Sequence, residues 1–497
     1  MRRRTHELVP ALGAFIRRRG ANSRNLAQAL RAAIAAGELK AGDRLPSSRT
    51  LASSLGFARG TVVEAYDQLK AEGWLEARTG AGTCVGIGLD AMLRPRRSGQ
   101  PVEPEILAPT LPVQAGKYAA VAAILAPPPP VPFAISVPEG AVAPDIHWRR
   151  VGARVRSTTA AQPGGYGDPM GVLELRQAVA EYLRSSRAVF CTAAQIVITA
   201  GTHQGLSMTS RILLDRGDTV WAEDPGYPGM IGVLEEAGAA LCRVPVDREG
   251  FDLNWALRET PDARAAFLTP SHQYPVGMPL SMARRQGLVR WAQTQGRWIV
   301  EDDYDSELRY SGHPFPAMQG LAPQHTIYLG TFSKVLFPSL RLGYAVVPDP
   351  LVDAFAGARF LMDRHSPVAE QHVLAAYIRE GHFQAHLRRI RIAYGERHSA
   401  LVDALQRELP SWATLEPSDQ GMHVVVWLPP EVRDTTVATT AAADGLAVRA
   451  ISPMCAHAKC NAVMLGFGGF SPEQLQRSVS QFASLLRHLP AERPAGT

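Results

Sequence analysis

Cysteine is scarce in this 497-residue chain, and none of it is spaced as in a metal or redox motif. The five thiols include no CxxC pair and no cysteine–histidine quartet at zinc spacing; they are Cys84, Cys191, Cys242, Cys455 and Cys460. This pattern argues against a disulfide scaffold and a structural metal site. It is typical of free thiols in a reducing compartment.

Long apolar runs are also missing. No stretch of about 18 apolar residues occurs, so no membrane-spanning helix is predicted. The basic start MRRRTHELVPALGAFIRRRG lacks the apolar core and the small-residue cleavage site of a signal peptide. With 46% apolar and 20% charged residues, the chain has the balance of a globular protein of two or three domains, expected in the cytoplasm.

Acidic charge is low at the front of the chain. Residues 1–98 carry 17 Lys+Arg against 8 Asp+Glu, a net charge of +9, whereas the whole chain is +6. Residues 99–497 therefore carry a net charge of about −3. Charge alone leaves two readings open, a solvated basic face or a surface that binds nucleic acid.

The basic region has the pattern of a winged helix-turn-helix. NLAQALRAAIAAGEL predicts a helix that stops at Gly37, and GDRLPSSRTLASSLG predicts a short second helix that starts at Pro46 and Ser47 and ends at Gly56. A third helix is predicted over ARGTVVEAYDQLKAEG, ending at Gly73. The alternating WLEARTGAGTCVG that follows indicates a β-hairpin wing.

Residues 24 to 88 resemble the GntR family of bacterial DNA-binding domains, through AGDRLPSSRTLASSLG and RGTVVEAYDQLKAEGWLEARTGAGTCV. The predicted second and third helices form the helix-turn-helix unit, and the later of these two helices enters the major groove of double-stranded DNA. We therefore expect contacts with operator DNA from Arg44, Ser48, Arg49, Arg59, Thr61, Val62, Arg78 and Gly80. Each of these, taken alone, is also compatible with an ordinary surface residue.

The composition changes after the predicted wing. Residues 95–138 hold eleven of the 38 prolines, including APPPPVP, and show no sustained helical or strand period. This predicts a Pro-rich linker, extended and semi-rigid in parts. The predicted domains are therefore 1–92 for DNA binding, 93–138 for the linker and 139–497 for a second globular domain.

From about residue 140, helical stretches alternate with short apolar strands. The predicted strands lie in QIVITAG, TVWAED, AAFLTPS, RWIVEDDYD, TIYLGTFSK and LRLGYAVVP. Such alternation predicts an α/β fold with a largely parallel sheet that is buried on both faces. In these sheets the chemistry gathers at strand ends.

The predicted strand ends carry a consistent set of polar groups. Gly201, Thr202 and His203 stand where a strand turns into a helix, which indicates an anion site. Asp302 ends another strand, with Tyr304 two residues later. Lys334 is flanked by Thr331 and Ser333 and followed by Arg341.

One cofactor requires all of these groups together. Pyridoxal 5'-phosphate needs a lysine for a Schiff base, an acid for its ring nitrogen, and hydroxyls, N–H groups and an arginine for its phosphate. The alternative is that Lys334 pairs with a core carboxylate, which leaves the neighbouring groups unexplained.

Residues 140 to 490 resemble fold-type I aminotransferases, through YGDPMGVLELRQAVAEYL, ITAGTHQGL, EDPGYPG, TPSHQYPVG, EDDYDSELRY and FSKVLFPSLRLGY. A GntR-like domain joined to this fold is the arrangement of the MocR family of transcriptional regulators. The resemblance implies a smaller C-terminal α+β subdomain and a cytoplasmic homodimer, at the nucleoid when bound to DNA.

The resemblance also implies the role of each site residue. Lys334 would form the Schiff base, Asp302 would pair with the ring nitrogen, and Tyr304 would donate to the ring hydroxyl. Tyr227 would stack on the ring, and Tyr166 would reach the phosphate of the partner subunit. The residues implied around the phosphate are Thr202, His203, Thr331, Ser333 and Arg341.

Two positions depart from the aminotransferase pattern. Tyr274 replaces an asparagine that contacts the ring hydroxyl in those enzymes. Met464, in NAVMLGFGGF, stands near the place of the arginine that grips the substrate carboxylate, and Arg449 or an arginine from another segment is a candidate substitute. Loss of a charge-assisted grip would weaken amino-acid binding by a few kcal/mol.

Three functions remain open at this level. In the first, the C-terminal domain is a sensor of an amine, an amino acid or pyridoxal phosphate itself, and it alters operator binding by the dimer. In the second, the protein is an active aminotransferase with an auxiliary DNA-binding domain. In the third, a sensor retains slow half-transamination. The missing carboxylate arginine and the intact winged helix favour the first.

Overall fold

The computed structural model describes residues 22–78, 82–86, 110–124, 130–138, 146–312, 315–416, 418–457 and 459–489. The chain divides into two compact units between Ala119 and Ala120. Each unit has its own hydrophobic core.

In the described part of residues 22–86, three helices and a two-stranded hairpin pack together. The helices are α1 (Asn22–Ala35), α2 (Ser48–Leu55) and α3 (Arg59–Ala71), and the antiparallel strands are β1 (Leu75–Arg78) and β2 (Gly82–Val85). This confirms the predicted winged helix-turn-helix.

Local signals in the sequence account for the helix ends. The Ser47 hydroxyl caps α2 by accepting a hydrogen bond from the Thr50 amide at 3.1 Å. Gly56 ends the same helix in the left-handed conformation, at φ 64°. The buried Tyr66 hydroxyl of α3 donates to the Pro46 carbonyl at 2.9 Å, which ties α3 to the start of α2.

Part of the predicted linker is regular structure. Residues Val113–Ile124 form helix α4, where we expected an extended segment. Alanine-rich VQAGKYAAVAAI has strong helix propensity, and the prolines on either side hid it from the pattern. Phe133 and Ala134, near the predicted end of the linker, are fully buried in the core of the second unit. The boundaries at 92/93 and 138/139 stay predictions.

An eight-stranded sheet forms the centre of the second unit, in the order β3-β10-β9-β8-β7-β4-β5-β6. Its strands are β3 (Ile196–Thr199), β4 (Thr219–Asp224), β5 (Ala240–Asp247), β6 (Gly250–Phe251), β7 (Ala265–Leu268), β8 (Trp298–Asp303), β9 (Thr326–Thr331) and β10 (Gly343–Val346).

Strand direction follows the length of each connection. β5, β4, β7, β8 and β9 pair in parallel. β10 is antiparallel to both β9 and β3, since no crossover helix separates it from β9. The prediction of a largely parallel sheet is therefore confirmed for the central strands. The exceptions are β10, near one edge, and β6, which is antiparallel to β5 at the other edge.

Helices pack around this sheet. They are α5 (Ile146–Arg156), α6 (Leu173–Ser186), α7 (Thr202–Leu213), α8 (Pro228–Ala237), α9 (Leu253–Glu259), α10 (Met282–Gln295), α11 (Met318–Leu321), α12 (Val352–Asp363) and α13 (Val368–Arg379). The strands β3, β4, β7 and β9 are almost entirely buried, as expected for a sheet covered on both faces.

A smaller antiparallel sheet completes the second unit, in the order β11-β12-β14-β13. Its strands are β11 (Thr414–Glu416), β12 (His423–Trp427), β13 (Arg449–Ala450) and β14 (Ala462–Gly466), with helices α14 (His382–Glu408), α15 (Asp434–Ala443) and α16 (Pro472–His488). This confirms the predicted α+β subdomain. Within the described residues, no helix is both long and apolar enough to cross a membrane.

Candidate cofactor site and DNA-binding surface

A cavity of about 300 Å³ opens where β3, β4, β7, β8 and β9 end. Nine of the ten residues predicted to hold the cofactor line it: Thr202, His203, Tyr227, Asp302, Tyr304, Thr331, Ser333, Lys334 and Arg341. The common direction of these strands brings together side chains that are up to 139 positions apart in the sequence.

Lys334 and Asp302 are the two central ionisable groups of the cavity. Burial lowers the pKa of Lys334, partly offset by the nearby negative charges of Asp305 and Asp302. Burial, followed by the negative charges of Asp303 and Glu223, raises the pKa of Asp302 to about 7. A lysine whose pKa is lowered is a better nucleophile at neutral pH, because more of it is uncharged.

Asp302 has an unfilled hydrogen-bonding position. Its side chain is 3% exposed, and Oδ1 has no hydrogen-bond partner in the described part of the chain. Such a buried acceptor is costly unless a ligand pairs with it. The carboxylate therefore fits a protonated ring nitrogen.

Another group of lining residues suits an anion. Gly201, at φ 98°, precedes the N-terminus of α7 and provides no side-chain cap, so the first backbone N–H groups of this helix suit a phosphate. The Arg341 guanidinium lies beside it and donates from Nη2 to the Ala200 carbonyl at 2.5 Å. Ser333 Oγ is buried without a partner among the described residues, and Thr331 Oγ1 accepts from the Ser333 amide at 3.1 Å.

Three tyrosines form an aromatic wall. The rings of Tyr227 and Tyr274 meet edge to face with centroids 5.5 Å apart, and those of Tyr274 and Tyr304 are 6.1 Å apart. Burial, with the negative charge of Asp302, raises the pKa of Tyr227 to about 12. Burial also raises the pKa of Tyr304. Both hydroxyls therefore stay protonated and able to donate at neutral pH.

Several lining residues were outside the predicted set. Thr269, directly after β7, donates from its hydroxyl to Glu223 Oε2 at 2.6 Å. Its position at a strand end was a usable signal. Ile135 and Ser136 also line the cavity, although they come from the end of the predicted linker, where nothing in the pattern marked them. Gly201 and Tyr274 lie there too, as the strand-end argument and the TPSHQYPVG motif suggested.

Arg449 is the arginine that the structure brings to the cavity from the small sheet. It lies on β13 opposite Met464 of β14, the position expected to carry the carboxylate arginine. Cross-strand partners are close neighbours, so the two sites are adjacent. The positive charge of Arg449 also lowers the pKa of Tyr274 against the dominant effect of burial.

Tyr166 is the one predicted cofactor residue that does not line the cavity within its own subunit. Its side chain is 78% exposed, and the Arg364 guanidinium lies 4.2 Å from its ring centroid. An exposed tyrosine agrees with a role toward a partner subunit, and that role stays a prediction.

The DNA-binding candidates have different environments in the first unit. Arg49 on α2 and Arg59, the first residue of α3, are exposed, whereas Ser48 and Thr61 are partly buried. Arg44 is exposed and lies against the wing, because a Cβ at Gly82 would be 3.5 Å from its Nε. Arg78 pairs with Glu76 at 2.6 Å.

One of the predicted DNA contacts is contradicted by the structure, and another cannot be placed in it. Val62 is completely buried and packs in the core of the first unit, so its predicted contact with DNA is wrong. Gly80 lies outside the described residues.

Comparisons with known proteins agree with both units. Residues 22–85 match the bacterial regulatory proteins of the gntR family, and residues 135–477 match aminotransferase class I and II. The chain is 38% identical over 464 residues to the probable rhizopine catabolism regulatory protein MocR of Rhizobium meliloti, covering 93% of each protein. The chain belongs to the MocR family of transcriptional regulators.

A second relative of this MocR-family protein is the HTH-type pyridoxine biosynthesis transcriptional regulator PdxR of Corynebacterium glutamicum. The two are 35% identical over 453 residues, which cover 91% of this chain and 93% of the relative.

Solved structures support the fold of the second unit. The α-aminoadipate aminotransferase LysN of Thermus thermophilus, solved with N-(5'-phosphopyridoxyl)-L-leucine, aligns with a TM-score of 0.66 at 28% identity. That alignment covers 72% of the MocR-family chain and 92% of LysN. A kynurenine aminotransferase of Pyrococcus horikoshii aligns with a TM-score of 0.68 over 76% and 95%, and at 24% identity it bears on the fold alone.

Proposed function

We propose that this MocR-family regulator binds pyridoxal 5'-phosphate on Lys334 and senses an amine, an amino acid or the cofactor itself. Occupancy of the cavity would change how a dimer binds its operator. One observation carries the proposal: a lysine, a buried carboxyl group whose Oδ1 has no partner among the described residues, and groups suited to an anion share one cavity of about 300 Å³.

Different residues of the chain would bind different parts of the cofactor. Pyridoxal phosphate supplies an aldehyde that condenses with primary amines. Lys334 provides the chain's own amine, Asp302 pairs with the ring nitrogen, and Tyr304 donates to the ring oxygen. Tyr227 packs on the ring. The phosphate is held by Thr202, His203, Thr331, Ser333, Arg341 and the partner's Tyr166.

Arg449 indicates the chemical class of the effector. A guanidinium that faces the same cavity as Lys334 supplies a paired donor for a carboxylate. A ligand that uses both groups carries a primary amine and a carboxylate. We therefore favour an amino acid over a simple amine as the effector.

The DNA-binding part of the proposal depends on a dimer. Two winged helices in one dimer can contact two operator half-sites, and the spacing of the half-sites then depends on the protein's geometry. An effector that binds one arrangement of the dimer more tightly shifts the population toward it. Operator affinity changes with effector concentration by that route, and the coupling is reciprocal.

A second function, catalytic turnover, is favoured by one observation. Lys334 is half-buried and shares the cavity with Arg449, and desolvation lowers its pKa, as expected of a lysine that can move protons as well as bind a cofactor. Slow half-transamination would therefore accompany sensing without being the main activity.

The test is a titration of the purified cofactor-loaded protein with amino acids, amines and free pyridoxal phosphate. Absorbance reports the state of the cofactor, and a fluorescent operator fragment reports DNA affinity in the same samples. The Lys334→Ala protein is the control for ligand effects that bypass the cofactor.

A sensor gives a spectral change that persists without release of a keto acid and that parallels a change in operator affinity. Many turnovers with keto-acid release, and no change in operator affinity, would reject the proposal in favour of an aminotransferase.

A further inference from the structure

Tyr304 faces the cavity, and behind it lies a histidine that none of the roles above uses. His272 is 2% exposed and follows β7 in the segment SHQYPVG. Its Nδ1 is 3.1 Å from the Tyr304 hydroxyl and 2.9 Å from Asp305 Oδ2. One ring nitrogen therefore serves two oxygen atoms.

The other ring nitrogen determines the tautomer. His272 Nε2 is buried and has no hydrogen-bond partner in the described part of the chain. A hydrogen on Nε2 would be a buried donor without an acceptor, which is costly. A hydrogen on Nδ1 is shared between Asp305 and Tyr304, so the Nδ1–H tautomer is the favoured one.

This tautomer determines the direction of the tyrosine hydrogen. When Nδ1–H donates to the Tyr304 oxygen, the hydrogen of Tyr304 itself cannot point back at His272. Within the described ranges, Tyr304 Oη has no other hydrogen-bond partner. Its hydrogen therefore points into the cavity.

Packing holds the imidazole ring in place. A Cβ at Gly421 would lie 2.0 Å from His272 Cε1, and one at Gly277 would lie 3.2 Å from Nε2. Both glycines have positive φ, 83° in each case. The ring thus fills a slot between the loop after β7 and the turn before β12, and it cannot rotate away from Tyr304 without moving backbone.

We propose that His272 is a positioning residue: it orients the Tyr304 hydroxyl as a donor toward the ring oxygen of the bound cofactor. This inference rests on the proposed function, because it needs pyridoxal phosphate in the cavity. Asp305 completes the arrangement by holding the hydrogen of His272 on Nδ1.

The effect is measurable on the cofactor itself. A donor at the ring oxygen stabilises negative charge there, which is greatest once the linkage between Lys334 and the cofactor has lost its proton. Without His272, the Tyr304 hydroxyl is no longer held as a donor toward the ring oxygen. The absorbance of the cofactor should therefore change at a higher pH. Asp302, Asp305, Glu223 and Arg341 also act electrostatically on this region and stay constant in the comparison.

The experiment compares two replacements of equal shape in the cofactor-loaded protein, His272→Asn and His272→Leu. The asparagine amide keeps an N–H donor at the Nδ1 position, and leucine does not. Both remove the same part of the ring, so a loss of packing affects them equally. We expect an upward shift of about one pH unit in the leucine variant and a nearly normal titration in the asparagine variant.

A Tyr304→Phe background separates positioning from other effects. If His272 acts through Tyr304, adding His272→Leu to Tyr304→Phe causes no further shift. The inference is overturned if the His272→Leu protein titrates as the wild type or if His272→Leu and His272→Asn cause equal shifts. It is also overturned if His272→Leu causes its full shift in the Tyr304→Phe background. Failure of the proposed function looks different, because the wild type would then show no cofactor absorbance that depends on Lys334.

Discussion

Arg449 on β13 lies directly opposite Met464 on β14, and its side chain lines the cavity that contains Lys334. Under the proposed function, Arg449 would bind the effector carboxylate from the strand next to the one on which an arginine was expected. Arg449→Gln should weaken binding of an amino-acid effector about 10- to 100-fold and leave the corresponding amine without a carboxylate unaffected. Spectral titration of both ligands measures the difference.

Arg248→Gln is the matched control, since that side chain is 91% exposed. It should bind both ligands as the wild type does. Equal weakening of amino acid and amine by Arg449→Gln would count against a carboxylate contact.

Lys334→Ala should abolish the visible absorbance band of the cofactor without preventing the protein from binding DNA. The reason is that no other lysine lines the cavity among the described residues. Absorbance and operator binding are measured on one preparation, with Lys117→Ala, an exposed lysine of α4, as control. A yellow Lys334→Ala protein would show that another amine holds the cofactor.

Arg59→Ala should weaken operator binding about 10- to 100-fold while cofactor binding stays normal. Arg59 is exposed at the start of α3, the helix expected in the major groove. Fluorescence anisotropy over a range of salt concentrations gives the affinity, and loss of a phosphate contact also lowers the salt dependence by about one ion. Arg24→Ala, an exposed arginine on α1, should have little effect. Similar losses from both changes would mean that Arg59 makes no specific contact.

Asp302→Asn should have opposite effects on the empty and the loaded protein. The folded protein keeps the Asp302 proton up to a pKa of about 7, whereas the unfolded chain loses it near 3.8. The raised pKa therefore makes the cofactor-free protein less stable as pH rises from about 4 to about 7. Asparagine removes this loss, a gain of at most about 4 kcal/mol in the free energy of unfolding. The loaded protein, in contrast, would lose the carboxylate proposed to pair with the ring nitrogen, so we expect weaker cofactor binding.

Urea unfolding of the cofactor-free protein at pH 4 and pH 8 measures the first effect, and cofactor titration measures the second. Asp262→Asn is the control, because the Asp262 side chain is 96% exposed. A stability difference between Asp302→Asn and wild type that does not grow with pH would contradict the buried, protonated carboxyl group.

Tyr166→Phe tests whether the cofactor site is shared between subunits. We expect weaker cofactor binding in the Tyr166→Phe homodimer and no band in the Lys334→Ala homodimer. A heterodimer of the two variants contains one site with both defects and one with neither, if the tyrosine acts across the interface. Half of its sites should then bind with wild-type affinity. If no site recovers, Tyr166 acts within its own subunit. Normal cofactor binding by the Tyr166→Phe homodimer would instead mean that Tyr166 has no role at the site.

Local pattern predicted much of this molecule. The segment TVWAED coincides with β4, and Ser47 and Gly56 begin and end α2 where their side-chain and backbone chemistry indicated. Lys334, Asp302 and Arg341 were found because each stands beside a strand end, and one topology rule brings strand ends together.

What the sequence did not reveal depends on contacts between distant segments. The direction of β10 follows from its short connection to β9, which hydrophobic pattern does not report. A valine at position 62 is compatible either with the protein core or with a contact in a DNA groove. Only the packing of α3 on its neighbours decides between the two. The partnership of His272 with Tyr304 joins positions 32 residues apart and leaves no periodic signal.

Ile135 and Ser136 join the cavity wall to the stretch through which the chain enters the second unit. They form part of that wall, and they lie within this stretch, close to the buried Phe133. A ligand that contacts them also contacts the stretch 130–138, whose Phe133 is packed in the core of the second unit. Packing of this stretch and retention of the ligand are then coupled, so a substitution that loosens it, such as Phe133→Ala, should also weaken ligand binding.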